Sequence, residues 1–253
     1  MAKLLISVKS VDEALLALAA GVDVIDFKDP SNGALGALDC ALSAQIVQAI
    51  KQQNKLVNPQ AHKTMQISAT VGEHHTALNA LMADTKARIE ICIDIIKIAV
   101  SPLFYTPDFL IEIRKLTLNN AKIMAVFFAD EIIDFNVLPI LANAGFDGAM
   151  LDTKNKQQNL ISVQSKTALQ QFSQKCHQYD LKSGFAGSLK PQYMDYLVEF
   201  NPTYIGFRGG VCENSIRNAP LSRAKLIEVV TMLHKHNNTH CKVHKNLYPA
   251  LHS

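Results

Sequence analysis

The sequence lacks any apolar stretch long enough to cross a membrane. None of its segments reaches the roughly 18 consecutive apolar residues that a spanning helix needs. The apolar run near the N terminus, within residues 1–9, is too short for the core of a secretory signal peptide. These two absences predict a soluble, cytoplasmic protein that does not bind membranes.

The cysteines and the net charge of the sequence also carry only weak signals of function. The five cysteines are odd in number, widely spaced and contain no Cys-x-x-Cys pair, so the sequence indicates neither a zinc site nor a disulfide framework. The net charge is only +3, and the lysines and arginines form no dense basic stripe. We therefore expect reduced thiols, no metal and no nucleic-acid partner.

Apolar runs typical of buried strands alternate with amphipathic helical patterns along the chain, and 48% of its residues are hydrophobic. The predicted strands are Leu4–Val8, Val22–Lys28, Gln66–Val71, Ile93–Val100, Lys122–Phe128, Gly148–Thr153, Lys182–Ala186 and Tyr204–Arg208. The predicted helices are Val11–Ala20, Cys40–Gln53, Ala77–Ile89, Pro107–Leu118, Val137–Ala144, Ser165–Tyr179, Gln192–Phe200 and Ser222–His234. Eight such pairs predict an α/β protein with one (β/α)8 barrel. A doubly wound sheet is less consistent with this count, and no Gly-x-Gly-x-x-Gly turn follows the first strand.

The end of the chain differs in composition from the rest. We predict a barrel domain over residues 1–236 and a basic, His-rich tail over residues 237–253. His234, His236, His240 and His244 have no carboxylate among them and a single cysteine, Cys241, so a solvated tail is favoured over a metal cluster. Exposed apolar positions on the outer helices would favour a homo-oligomer.

An Asp-x-Lys motif occurs twice, as Asp26 with Lys28 and as Asp152 with Lys154. Each copy follows an Ala-Gly-x-Asp turn and a short apolar run. Residues two apart on a strand project from the same face. The two copies lie on the second and sixth predicted strands, which are opposite each other in an eight-stranded barrel. We therefore expect both motifs to face one cavity at the end of the barrel where active sites lie.

Lys97 stands in a strand otherwise made of isoleucine, alanine and valine. Burial and neighbouring cations lower the pKa of a lysine, so lysines that converge here can supply a neutral amine. Such an amine attacks a carbonyl to form a Schiff base or acts as a general base. The alternative is that each Asp–Lys pair is only an internal salt bridge.

Small residues follow the last two predicted strands. Gly187 and Ser188 come after the seventh strand, and Arg208, Gly209 and Gly210 come after the eighth. Barrel enzymes often bind phosphate at these two loops, where backbone N–H groups face the anion. Arg208 would add a bidentate contact. The alternative is that the glycines only form tight turns.

With these residues assembled, the chain resembles the (5-formylfuran-3-yl)methyl phosphate synthases of methanofuran biosynthesis, from about residue 4 to about residue 230. The matching stretches are Ala20–Pro30, Gly33–Ala37, Ser68–Gly72, Asp94–Lys97, Met150–Thr153, Gln164–Lys166, Ala186–Lys190 and Arg208–Gly209. The resemblance implies a lyase that acts on a phosphorylated triose. It would condense two molecules of glyceraldehyde 3-phosphate and would require no cofactor.

The resemblance also implies residue roles. Lys28 would be the Schiff-base lysine and Lys97 the main proton acceptor, assisted by Asp26, Asp152 and a lysine after the sixth strand. Counting forward from Asp152 favours Lys156 for this last role, whereas strand alternation favours Lys154. Two other functions share the same motifs: a Schiff-base aldolase that acts on a phosphorylated sugar, and a non-catalytic barrel that binds a phosphorylated metabolite.

Overall fold

A computed structural model of the protein describes residues 1–57, 65–73 and 75–247. Eight parallel strands form a closed barrel in chain order, and β1 closes the barrel by pairing with β8. The strands are β1 (Lys3–Val8), β2 (Val24–Phe27), β3 (Gln66–Thr70), β4 (Ile95–Ala99), β5 (Lys122–Phe128), β6 (Gly148–Asp152), β7 (Lys182–Phe185) and β8 (Tyr204–Phe207). The predicted fold class is thereby confirmed.

Helices follow the strands and surround the barrel. They are α1 (Val11–Ala20), α2 (Cys40–Val57), α3 (Leu78–Glu90), α4 (Pro107–Leu118), α5 (Leu138–Asn143), α6 (Leu160–Val163), α7 (Lys166–Gln178), α8 (Met194–Val198) and α9 (Arg223–Leu247). The short helix α6 was not predicted, since four residues are too few to show helical periodicity.

Strand residues alternate between two apolar layers. Outward-facing side chains such as Ile6 and Ile96 pack beneath the helices in one continuous cluster. Inward-facing side chains such as Val24 and Met124 form a second cluster inside the barrel. This division is expected for parallel strands that are buried on both faces. The inward-facing positions at the carboxyl ends of the strands remain available for polar side chains.

The loop after β2 fills one side of the barrel mouth. Ala34 and Leu35 are buried in the interior cluster, and their backbone N–H groups donate to the Glu73 carboxylate at 3.3 and 3.1 Å. Thr70, at the end of β3, donates to the carbonyl oxygen of Gly36. The mouth is therefore covered on the side of β3 to β5 and open on the opposite side.

The last helix is longer than predicted. We expected it to end at His234, but α9 continues to Leu247, because no proline or glycine interrupts residues 223–247. The proposed boundary at residue 236 therefore lies inside a helix, and the separate tail stays a prediction. The side chains of His240 and His244 and all of residues 248–253 lie outside the described part of the chain.

Two further observations bear on the sequence analysis. Over the described residues, no helix is both long and apolar enough to cross a membrane. Cys40, Cys92, Cys176 and Cys212 are all unpaired, and burial raises the pKa of the Cys176 thiol to about 12.

Candidate active site

A cavity of about 290 Å³ opens at the carboxyl ends of the strands. Its floor is polar, with Asp26, Lys28, Lys97, Asp152 and Lys156 among the residues that line it. The structure thus brings together the four residues that the sequence analysis assigned to catalysis and Lys156, one of its two candidates for the fifth.

The register of three neighbouring strands fixes Asp26 in place. Ser7 of β1 and Ser68 of β3 lie directly opposite Asp26 of β2. Each serine donates to a different carboxylate oxygen, Ser7 to Oδ2 at 2.8 Å and Ser68 to Oδ1 at 2.7 Å. The carboxylate is completely buried, so these bonds replace the water it would otherwise bind. Asp26 is held in one orientation as a result.

Lys97 forms an ion pair with the same carboxylate. Its Nζ lies 2.5 Å from Asp26 Oδ1, and both side chains are buried. Burial lowers the pKa of Lys97, and the positive charge of Lys28 lowers it further, although Asp26 opposes this shift. The net effect is a lowered pKa, so Lys97 loses its proton more readily than an exposed lysine does. The Asp26 carboxylate beside it can accept that proton.

Asp152 lies between two lysines. Lys28 Nζ is 3.0 Å from its Oδ2 and Lys156 Nζ is 2.8 Å from its Oδ1, while the backbone N–H of Thr153 also donates to Oδ1. Burial by itself would raise the pKa of Asp152, but the charges of Lys156 and Lys28 outweigh it and hold that pKa well below its usual value. Asp152 is therefore a permanent carboxylate at neutral pH.

Of the two lysines left open after β6, the structure places Lys156 in the cavity. Besides Asp152, Lys156 Nζ contacts the carbonyl oxygen of Thr153. Burial lowers the pKa of Lys156 to about 8, despite the opposing charge of Asp152. Lys154 instead pairs with Glu131 at the exposed surface, 2.8 Å away. Strand alternation predicted that Lys154 would face the cavity together with Asp152. This was wrong because β6 ends at Asp152 and the chain turns there, so the alternation does not extend to Lys154.

The charges on the cavity floor are unequal. Three lysines (Lys28, Lys97 and Lys156) face two carboxylates (Asp26 and Asp152). Two of the ammonium groups are balanced, and the third is in excess. One of the three can therefore lose its proton and leave the cluster neutral, which lowers the cost of an uncharged amine here.

The two glycine-rich loops border the cavity as predicted. Gly187, Ser188, Gly209 and Gly210 all line it. Within the described part of the chain, no protein group accepts a hydrogen bond from the backbone N–H of any of these four residues. Gly187 and Ser188 both have positive φ angles, 102° and 48°. The loops thus leave backbone donors unpaired beside the cavity, an arrangement suited to an anion.

Arg208 is positioned differently from the prediction. Its atoms border the cavity, but Nη1 and Nη2 form a bidentate pair with Glu13 at 2.5 and 3.1 Å. Its remaining N–H donors bond to the carbonyl oxygens of Ser7, Arg217 and Ala219. All five guanidinium donors are thus used within the protein. The predicted phosphate contact is corrected, because Arg208 joins the β8 loop to β1 and α1 and has no donor left for a ligand.

Sequence reasoning missed three residues at this site. Ser7 and Ser68 orient Asp26, and their signal was a small polar residue at a strand position facing the barrel interior. Arg217 lines the cavity from the loop after β8. It had no motif to identify it, because it comes from an irregular segment between β8 and α9.

Comparisons with known proteins identify relatives of this chain. The sequence profile described as 4-HFC-P synthase matches residues 4–230. A protein of Methylorubrum extorquens is 35% identical over 229 residues, which cover 90% of each chain. The (5-formylfuran-3-yl)methyl phosphate synthases of Methanocaldococcus jannaschii and Methanosarcina acetivorans are 31% and 28% identical. They match 85% and 89% of this chain and 92% and 96% of their own lengths.

Solved structures share the barrel at much lower identity. Phosphoribosyl anthranilate isomerase from Thermus thermophilus has a TM-score of 0.61 at 14% identity, with 92% of this chain and 98% of that chain covered. KGPDC from Streptococcus mutans has a TM-score of 0.61 at 10% identity, with 93% and 98% covered. These likenesses concern the fold alone.

The closed barrel, the charged cavity at its carboxyl end and the named synthases among its relatives define an α/β-barrel enzyme. More particularly, the chain belongs to the 4-HFC-P synthase family, and the family profile spans the barrel from β1 into α9.

Proposed function

We propose that this enzyme condenses two molecules of glyceraldehyde 3-phosphate into (5-formylfuran-3-yl)methyl phosphate, the furan unit for methanofuran biosynthesis, through a Schiff base on Lys28. The observation that carries the proposal is the buried cluster of three lysines and two aspartates on the cavity floor. Each of these residues can supply a nucleophile, a base or a charge partner to a step of this reaction.

Phosphate binding is the first step. The unpaired N–H groups of Gly187, Ser188, Gly209 and Gly210 would hold the phosphate of one triose at the loops after β7 and β8. These loops border the same cavity as Lys28, so a short three-carbon chain can reach from them toward the lysine. Fixing the phosphate orients the carbonyl for attack.

Lys28 is the proposed nucleophile. As a neutral amine, its Nζ adds to the carbonyl carbon, and loss of water gives an iminium group. Lys156 still pairs with Asp152 when Lys28 gives up its proton. The carboxylate that Lys28 contacts is therefore not left unpaired. The shared aspartate therefore makes the neutral state of Lys28 less costly.

Lys97 is the proposed base. With its pKa lowered by burial, it removes a proton from the carbon beside the iminium group and produces an enamine. Asp26 then stabilises the protonated Lys97. The enamine carbon forms the new carbon–carbon bond by attacking the aldehyde of the second triose.

The remaining steps need proton donors and acceptors. Loss of water beside the new bond and an enol shift convert the phosphate-bearing carbon of the second triose into an enol phosphate, and hydrolysis of this ester releases inorganic phosphate and leaves the formyl group. Closure of the ring and loss of two further waters then give the furan. Overall, two trioses give one product, one inorganic phosphate and two molecules of water. Lys156, with a pKa of about 8, is suited to give and take protons near neutral pH, with Asp152 as its permanent counter-charge.

The test is an incubation of the purified enzyme with glyceraldehyde 3-phosphate, followed by ultraviolet absorbance, mass analysis and phosphate release. We expect a new absorbing aldehyde with the mass of the furan phosphate and one inorganic phosphate per product. A sugar phosphate without phosphate release would instead establish an aldolase, and no turnover at all would point to a non-catalytic barrel. Lys154→Met serves as a matched control because Lys154 lies near the mouth but outside the cavity.

A further inference from the structure

Arg217 is a second arginine at the cavity, and most of its hydrogen-bond donors are unused by the protein. Within the described residues, its one protein acceptor is the carbonyl oxygen of Gly33, which accepts from Nη2 at 2.8 Å. The other guanidinium donors have no protein partner there. This contrasts with Arg208, nine residues earlier, whose donors are all bonded.

The environment of Arg217 is unfavourable for a bare cation. The side chain is half-buried at the mouth of a cavity that already has one excess positive charge. Burial lowers its pKa and the charge of Arg208 acts in the same direction, although the charges of Asp152, Glu73 and Asp29 oppose this shift. No carboxylate forms an ion pair with it within the described part of the chain. A bound anion would compensate for this burial.

Arg217 differs in position from the loop after β7, although its Cα and Cβ pack beside Gly209 in the loop after β8. Its guanidinium contacts the loop after β2, whereas Gly187 packs against Thr153 at the end of β6 and Ser188 donates to the carbonyl oxygen of Lys156. In the barrel, β1 and β8 lie between β2 and β7. The guanidinium of Arg217 and the loop after β7 are thus two separate anion-binding features at one cavity.

We propose that Arg217 forms a second phosphate subsite, which binds the phosphate of the second triose while the glycine loops hold the first. The inference rests on the proposed function in one respect: a reaction between two phosphorylated molecules needs two such subsites. With both phosphates held, the aldehyde of the second triose faces the enamine formed at Lys28. Arg217 then acts in substrate recognition, and the lysine cluster carries out the chemistry.

The test compares the wild-type enzyme, Arg217→Met and the control Lys154→Met in two measurements. In a calorimetric titration of the free enzyme with inorganic phosphate, we expect two sites in the wild type and the control and one in Arg217→Met. In turnover assays with glyceraldehyde 3-phosphate, the KM of Arg217→Met should rise about 10- to 100-fold, as expected for loss of a charge-assisted hydrogen bond.

If Arg217 only anchored the loop that contains Gly33, its loss would affect substrates with and without a phosphate alike. A comparison of the two substrates therefore distinguishes this structural role from phosphate binding. Unphosphorylated glyceraldehyde, offered as the second aldehyde to enzyme preloaded with one triose phosphate, should react equally well in the wild type and in Arg217→Met. An equal loss with both aldehydes, or two phosphate sites remaining in Arg217→Met, would overturn the inference. The phosphate titration does not require turnover, so it tests the role of Arg217 even if the proposed reaction itself fails.

Discussion

At the scale of single residues, Lys97 allows a clear separation of binding from proton transfer. Lys97→Met keeps the length and burial of the side chain but removes the amine. We expect product formation to fall about 10²- to 10⁴-fold, the usual contribution of a general base. The adduct on Lys28 should still form, although more slowly, because the nucleophile is retained while the excess positive charge that favours a neutral amine is lost. Steady-state assays and borohydride trapping measure the two effects separately.

The outcome that would count against this role is equally specific. If Lys97→Met lost the Lys28 adduct and product in parallel, Lys97 would be needed before proton abstraction, as a structural partner of Asp26. Thermal unfolding of the variant distinguishes that case from global loss of structure.

Lys156 predicts a pH dependence of stability. Its pKa is about 8 in the folded protein and 10.5 in its reference state, a difference that corresponds to roughly 3 kcal/mol. Below pH 8 both states are protonated and the folded state carries the full penalty of the buried charge. Between pH 8 and 10.5 the unfolded state binds more protons, so the free energy of unfolding should rise with pH.

The measurement is urea unfolding of the wild type and Lys156→Met at several values of pH from 7 to 10.5. Other groups titrate over this range in both proteins, so the difference between them isolates Lys156. We expect the wild type to gain stability relative to the variant as the pH rises. A constant difference would mean that Lys156 has an ordinary pKa in the folded protein.

Residue positions could be predicted where strand geometry fixes them. Asp26 and Lys97 lie on strands, and their inward direction followed from alternation along β2 and β4. Lys156 and Arg217 lie in loops, where side-chain direction depends on backbone turns that sequence periodicity does not encode. This is why the choice between Lys154 and Lys156 stayed open and Arg217 was missed.

At the scale of secondary structure elements, the pair between Arg208 and Glu13 connects the β8 loop to α1. Both side chains are buried, so removal of one partner leaves an uncompensated charge. We expect Arg208→Met to lower the free energy of unfolding by about 3–5 kcal/mol. Lys166→Met is a matched control, because it breaks an exposed pair with Glu199 and should cost at most about 1 kcal/mol.

Urea unfolding measures both variants, and phosphate titration provides the second readout. If Arg208→Met were as stable as the wild type but lost a phosphate site, the sequence-based role of Arg208 as a ligand would be right after all. Sequence could not settle this question, because Glu13 lies 195 residues away and its partner is defined only when the barrel closes.

The loop after β2 depends on a glycine. Gly33 has a φ of 90°, and a Cβ atom added there would overlap the Glu73 carboxylate that accepts from Ala34 and Leu35. Gly33→Ala should therefore loosen this side of the mouth. We expect faster amide hydrogen exchange over residues 29–39, with unchanged exchange in β5 and β6. Equal protection in the loop would show that Glu73 can move aside without cost.

At the scale of the whole molecule, the fold was predictable because its signal is repeated eight times. Each predicted strand is a dense apolar run, and a helical pattern follows each of them. An error of one or two residues in a boundary therefore does not change the number of strand–helix pairs. The end of α9 was less predictable, since its last turns lack the apolar spacing that marks a helix packed on the barrel. Exposed apolar side chains such as Ile111, Leu118 and Ile140 lie on α4 and α5, and the homo-oligomer remains a prediction.

The central claim is that Lys28 forms the covalent intermediate, and borohydride trapping tests it most directly. The enzyme is incubated with glyceraldehyde 3-phosphate, reduced, digested and mapped by mass spectrometry, with Lys28→Arg as the comparison. We predict one triose phosphate adduct on the peptide that contains Lys28, lost in the variant together with product formation. An adduct on Lys97 or Lys156 alone, or full turnover in Lys28→Arg, would contradict the mechanism.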